Sequence, residues 1–230
     1  LQAHLGGEPV VARSGQLSHL IARVFRDTHH AAVLENWGLL WMWHAFVLLV
    51  ICSVTAAMHA ARLKLPVFAS PAPYLILWGG ALAIWAPTFW SLRHRGGPVT
   101  AIERQIAHLW GASIGAVMLL FVVESLLRLP VLALSPVLGL ISAMVFAAKA
   151  GMLTGAFYFH AAALFAAALV MAWMQREGFE GGILLFGVVA AATFFLPGLK
   201  YYRQGRSNQR SRPTSKTVTS GGAAPDSNAT

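Results

Sequence analysis

Apolar residues in this chain come in long unbroken runs, separated by short charged or proline-containing breaks. They do not alternate strictly with polar residues, as half-buried strands would. A bilayer core about 30 Å thick needs about 20 apolar residues in a helix. Six runs meet or approach that length: about 37–59, 74–92, 108–127, 130–146, 151–174 and 181–199. They are rich in Ala, Leu and Met and lack the dyad pattern of a transmembrane barrel. The expected fold is therefore an all-α integral membrane protein of about six transmembrane helices. Between Val131 and Met174 the only strong charge is Lys149. That stretch is about twice one span, so the pattern predicts two helices joined by a tight turn near Lys149, Ala150 and Gly151, with Pro136 able to kink the first of them.

Residues 1–36 read as a cytoplasmic linker, 37–200 as the membrane domain and 201–230 as a tail. Within the linker, Leu17, Leu20, Ile21, Val24 and Phe25 recur at helical spacing while Arg23, Arg26 and Asp27 lie off that stripe. The segment from Leu17 to Leu34 thus predicts an amphipathic juxtamembrane helix on the membrane surface or against a neighbouring domain. Beyond Tyr202 the chain is Ser, Thr, Gly, Asn and Arg, a composition expected to give a disordered basic tail.

Composition agrees with lipid as solvent. Hydrophobic residues make up 57% of the 230 positions and charged residues 11%, against about 25% charged in a soluble domain. The net charge of +9 lies between apolar runs and in the tail. It points to anionic lipid headgroups as partners and not to nucleic acid, for no basic helix or aromatic-basic platform is present. With both termini in the cytoplasm, thirteen basic residues fall inside, Lys149 among them, and only Arg62, Lys64, Arg128 and Arg176 outside. This is the positive-inside bias of an even number of spans. Trp37, Trp41, Trp43, Trp90, Trp110 and Trp173 fall near predicted span ends, where amphipathic rings favour the headgroup layer. The single cysteine, Cys52, lies in an apolar run and reads as a small hydrophobe, with no intrachain disulfide or thiolate cluster available.

No catalytic, cofactor-binding or metal-binding motif is present. The chain has no Gly-rich phosphate loop, nucleophile elbow, His-Glu-x-x-His pair or kinase catalytic motif. What remains is polar groups at membrane depth: His44, Glu124 and His160 inside predicted spans, with His59, His108 and Lys149 near span ends. Ionisable groups in lipid are costly and turn toward the bundle interior. One reading is a proton or ion path, or a haem or metal site using His44, His108 or His160. The other is neutral histidines bonded to neighbouring helices and a protonated or paired Glu124. His29 and His30 point about 100° apart on a helix, which suits headgroup-facing side chains better than one shared metal. Gly111 and Gly115 form a small-xxx-small pair that allows close helix packing within or between chains.

The first thirteen residues, Leu-Gln-Ala-His-Leu-Gly-Gly-Glu-Pro-Val-Val-Ala-Arg, resemble a segment of bacterial, eukaryotic-like serine/threonine protein kinases. There a Leu-x-x-x-Leu-x-Gly-Glu-Pro-x-x-Ala-Arg stretch follows the last helix of the kinase domain and leads into a juxtamembrane linker and membrane spans. The stretch from Ile21 to His44 is similar to the membrane-proximal region of one subgroup. The resemblance covers roughly residues 1–60, and the later spans add a compatible hydropathy. It implies a C-terminal membrane region in the bacterial cytoplasmic membrane, preceded in a longer protein by a kinase domain that would bind ATP and Mg. No kinase lobe lies in this chain, so no catalytic residue carries over. The implied roles are anchoring, signal sensing and homodimerisation, and the tail residues Ser207, Ser211, Thr214, Ser215 and Thr217 would be phosphate acceptors beside Arg206, Arg210, Arg212 and Lys216, an electrostatic switch on anionic lipid. A small transporter or channel using His44, Glu124 and His160, and a haem-binding membrane protein, are the alternatives.

Overall fold

The computed structural model describes residues 31–94 and 101–211. Six α-helices account for most of them: α1 Ala31–Ala61, α2 Ala72–His94, α3 Ala101–Leu126, α4 Ser135–Met152, α5 Phe157–Arg176 and α6 Gly182–Ser211, with a 3₁₀ turn at Pro66–Ala69 between the first two. All six are long and apolar enough to cross a membrane. Large apolar side chains such as Leu39, Phe46, Ile76, Ile84, Leu119, Phe159 and Leu169 are exposed on the outside of the bundle. For a bundle this apolar, that surface suits acyl chains and not water. The chain is thus an all-α, multi-pass membrane protein.

Short connections make antiparallel neighbours of α3 and α4 and of α4 and α5, while α1 and α6 meet from opposite ends of the described chain. α1 packs along α6, α4 along α5, and α2 and α3 complete the bundle against α1 and α4. Small residues set the closest approaches. A Cβ placed on Gly38 would lie 2.7 Å from the carbonyl oxygen of Gly198, and one on Gly198 would lie 2.8 Å from that of Gly38. The backbones of α1 and α6 therefore touch near the ends that lead to the N- and C-terminal segments. Farther along the same pair, a Cβ on Gly187 would lie 2.5 Å from Cβ of Cys52, and between α4 and α5 one on Gly139 would lie 2.8 Å from Cβ of Ala168. At the opposite end, Arg62 after α1 donates to Glu180 before α6, and Gln175 Nε2 of α5 donates to the carbonyl of Leu132 at 3.0 Å.

Several boundaries depart from the sequence reading. α4 begins at Ser135 and runs through Lys149 to Met152, and the turn into α5 falls at residues 153–156. Lys149 is therefore a buried helical residue, not an interfacial charge in a loop, and it does not belong in the count of cytoplasmic basic residues. Pro136 sits in the first turn of α4, where its missing N–H leaves no hydrogen bond broken, so it starts the helix and does not kink it. Trp43, Trp90 and Trp173 are exposed, as belt residues would be. Trp37, Trp41 and Trp110 are buried in the bundle instead. α6 continues to Ser211, so residues 201–211 are helical where a disordered tail was expected. Tyr201 explains part of that extension: it is buried, with its ring 6.2 Å from that of Trp41. The amphipathic stripe from Leu17 to Phe25, His29 with His30, and the tail beyond Ser211 lie outside the described residues.

Candidate functional site

The polar residues singled out in the sequence separate into two places. Glu124, near the end of α3, accepts hydrogen bonds from the backbone N–H of Leu132 at 3.1 Å and of Leu134 at 2.7 Å. These bonds hold a connection in which Arg128 and Leu132 take positive φ values of 54° and 67°. Left-handed backbone costs a residue with a Cβ about 1–2 kcal/mol, so a fixed acceptor at the centre of the turn offsets strain. Glu124 is a loop anchor. Its carboxylate oxygens are occupied by backbone donors, not turned toward a ligand.

Lys149, His44 and His160 lie in a second place, one continuous aromatic cluster. Lys149 has no exposed surface, and its Nζ makes no hydrogen bond. Four rings surround that nitrogen: Trp110 with its centroid at 4.4 Å, Phe146 at 4.8 Å, and Trp41 and Phe194 at 5.0 Å each. The rings come from α1, α3, α4 and α6, so the cage exists only in the assembled bundle. Cation–π attraction to several desolvated rings stabilises an ammonium by about 2 kcal/mol or more, which offsets part of the cost of burying it at membrane depth.

His44 shares two of these rings. Its ring centroid lies 4.6 Å from that of Phe194, 4.8 Å from Trp110 and 5.3 Å from Trp85, and its Nδ1 is buried without a hydrogen-bond partner. His160 joins from the far side through Phe146 at 5.8 Å and Phe157 at 5.7 Å. Its Nδ1 is 3.1 Å from the carbonyl oxygen of Ala156 one turn earlier, as expected for a histidine satisfied by its own helix.

A cavity of about 120 Å³ adjoins this cluster. Five helices line it. At one end stand His44, Trp85, Trp110 and Phe194; at the other stand Ile51, Trp78, Leu138 and Phe186. On α1 the lining runs from His44 to Ile51, which at 1.5 Å per helical residue is about 10 Å. The far end is closed off from polar chemistry: the indole N–H of Trp78 donates to the hydroxyl of Thr55 at 3.0 Å. Among the described residues no three His, Cys, Asp or Glu side chains converge as a metal site would require. Among the described residues Gly111 and Gly115 have no packing neighbour: a Cβ on either would meet nothing within 4 Å.

Sequence reasoning missed the cage. Of the 8 tryptophans, Trp37, Trp41, Trp78, Trp85 and Trp110 are buried, more than a headgroup belt would use. Their number was a signal, but their placement near span ends suits the interface and the interior equally. No protein-family model, curated protein or solved structure matches this chain.

Proposed function

We propose that this chain is the membrane region of a bacterial serine/threonine protein kinase, anchoring it to the cytoplasmic membrane and sensing a signal within the helix bundle. The N-terminal Gly-Glu-Pro-x-x-Ala-Arg stretch supplies the kinase part of the reading. The sensing part rests on one observation. Helix α1, into which the linker leads, carries both Trp41 of the cage and His44 of the cavity, and it is joined backbone to backbone to α6 at Gly38 and Gly198. A rearrangement around Lys149 therefore acts directly on the helix that leaves toward the linker. Packed interfaces of this kind shift between discrete arrangements and do not deform continuously. Both termini lie in the cytoplasm in this reading, and homodimerisation would bring two kinase domains together for phosphorylation in trans.

The deciding experiment reads the coding sequence upstream of Leu1. An in-frame Gly-rich loop, catalytic Lys, His-Arg-Asp and Asp-Phe-Gly set supports the reading. A start codon a few residues before Leu1 overturns it and turns attention to ion flux in liposomes and a haem spectrum.

A further inference from the structure

Among the described residues six buried side-chain nitrogens lack a hydrogen-bond partner, and five of them belong to one neighbourhood: Trp41 Nε1, His44 Nδ1, Trp85 Nε1, Trp110 Nε1 and Lys149 Nζ. Buried polar groups are satisfied in the great majority of proteins, so a cluster of orphans calls for a physical account. Their chemistry is one-sided. An indole N–H and an ammonium can only donate. Trp41, Trp85, Trp110 and Lys149 are thus donors, with His44 able to act as a further one. The interior carboxylates are engaged elsewhere, Glu103 with the indole of Trp37 at 2.9 Å and Glu124 with the α3–α4 connection. What the cluster fits is an acceptor, and beside a buried amine, an anionic one.

The cavity gives that acceptor a body. His44, Trp85 and Trp110 stand at one end of an apolar slot about 10 Å long, and its cavity volume of about 120 Å³ is of the order of an apolar site that admits benzene, about 150 Å³. Lys149 lies against Trp110 and Phe194, which line the slot, so an anion at the donor end would favour its ammonium form. α2 and α3, which form one wall, meet through their rings, Trp85 stacking on Trp110 at 5.7 Å and Trp78 lying 6.0 Å from Phe121.

We propose that the bundle binds a lipophilic carboxylate, a medium-chain fatty acid, with its carboxylate among Trp85, Trp110 and His44 beside Lys149 and its alkyl chain along the slot toward Trp78. This deepens the sensing part of the function proposed above by naming the ligand class. It does not depend on a kinase domain upstream, since the test uses the chain itself.

The experiment reconstitutes the chain in nanodiscs and labels it with a diazirine-bearing octanoic acid, whose length matches the slot, in competition with unlabelled octanoate or its methyl ester. Labelled residues are located by mass spectrometry. The expected result is saturable labelling at slot residues, displaced by octanoate at least about tenfold more effectively than by the ester, because only the acid offers a charged acceptor. Lys149→Met keeps the length of the side chain and is expected to abolish that preference. Trp85→Phe keeps the ring, removes one donor and is expected to weaken labelling about three- to tenfold. If Lys149→Met fails to fold, Trp85→Phe and the location of the label decide. Equal competition by acid and ester, label spread evenly over lipid-facing residues, or an unchanged acid preference in folded Lys149→Met would each overturn the proposal. Success with no kinase upstream, or failure with one, would separate this inference from the kinase reading.

Discussion

Arg62, directly after α1, grips both carboxylate oxygens of Glu180, just ahead of α6, while the same guanidinium donates to the carbonyl of His59 at 2.7 Å. This clasp closes one end of the α1–α6 pair; the Gly38–Gly198 contact closes the other.

The clasp predicts a pH dependence. The hydrogen bond from Arg62 holds the Glu180 carboxyl below its ordinary range. A carboxyl lowered in the folded state adds stability above its unfolded value and loses it as pH falls through the folded one. The thermal midpoint of the reconstituted chain is expected to fall as pH drops below the ordinary Glu value of about 4.3. In Glu180→Gln that part of the slope disappears. Both side chains are partly exposed, so the loss at neutral pH is small, about 0.5 kcal/mol. An identical slope in the variant would show that the clasp contributes nothing.

Glu124 predicts a larger effect. In Glu124→Ala the N–H groups of Leu132 and Leu134 lose their acceptor, at about 1–3 kcal/mol for each group left buried and unpaired. Denaturant unfolding in micelles is expected to show a loss of about 3 kcal/mol, with Glu124→Gln losing about 1 kcal/mol because an amide oxygen still accepts. Arg128→Gly, at φ 54°, should gain about 1 kcal/mol by relieving a left-handed residue. If Glu124 instead served an ion path, Glu124→Gln would abolish flux while leaving stability intact.

How far the sequence could be read follows from these same residues. Six spans were legible because uninterrupted apolar length is a local property, and Arg62 stood out as a basic residue between runs. Lys149 was misplaced because a lone charge between two apolar stretches has the same sequence pattern whether it caps a turn or enters a cage. The difference lies in Trp41, Trp110 and Phe194, which are brought to it from three other helices. Glu124 stood out as ionisable, yet its partners are backbone N–H groups, which carry no sequence signature. The helical residues 201–211 lack an apolar stripe of their own. Their first turn is held by contacts that Tyr201 and Tyr202 make with α1.

The α1–α6 contact predicts which glycines tolerate a side chain. At Gly38 and Gly198 a Cβ would meet carbonyl oxygen at 2.7 and 2.8 Å, and backbone atoms cannot rotate away. Gly38→Ala is expected to cost about 2 kcal/mol, in the range of overpacked cores, and Gly38→Leu more. Gly80, on an open face of α2, should behave oppositely, with Gly80→Ala gaining about 0.5–1 kcal/mol from helix propensity. Equal midpoints for Gly38→Ala and Gly80→Ala would mean that α1 and α6 do not touch there.

Gly111 and Gly115 separate packing within one chain from packing between two. Both lie on an exposed face of α3 where an added Cβ meets nothing within 4 Å, so substitution there cannot crowd the single bundle. Gly111→Ala with Gly115→Ala is therefore expected to raise the stability of the monomer by about 1–2 kcal/mol in total. Close backbone approach across a small-xxx-small face tolerates no bulk, so if two copies meet on this face, Gly111→Leu with Gly115→Leu should cut the dimer fraction about tenfold at fixed protein-to-lipid ratio. Energy transfer between donor- and acceptor-labelled copies in liposomes reads that fraction directly. The expected outcome is a folded variant with lost transfer. Retained transfer would move the dimer contact to another face, and loss of folding would mean that α3 is packed against its own bundle after all.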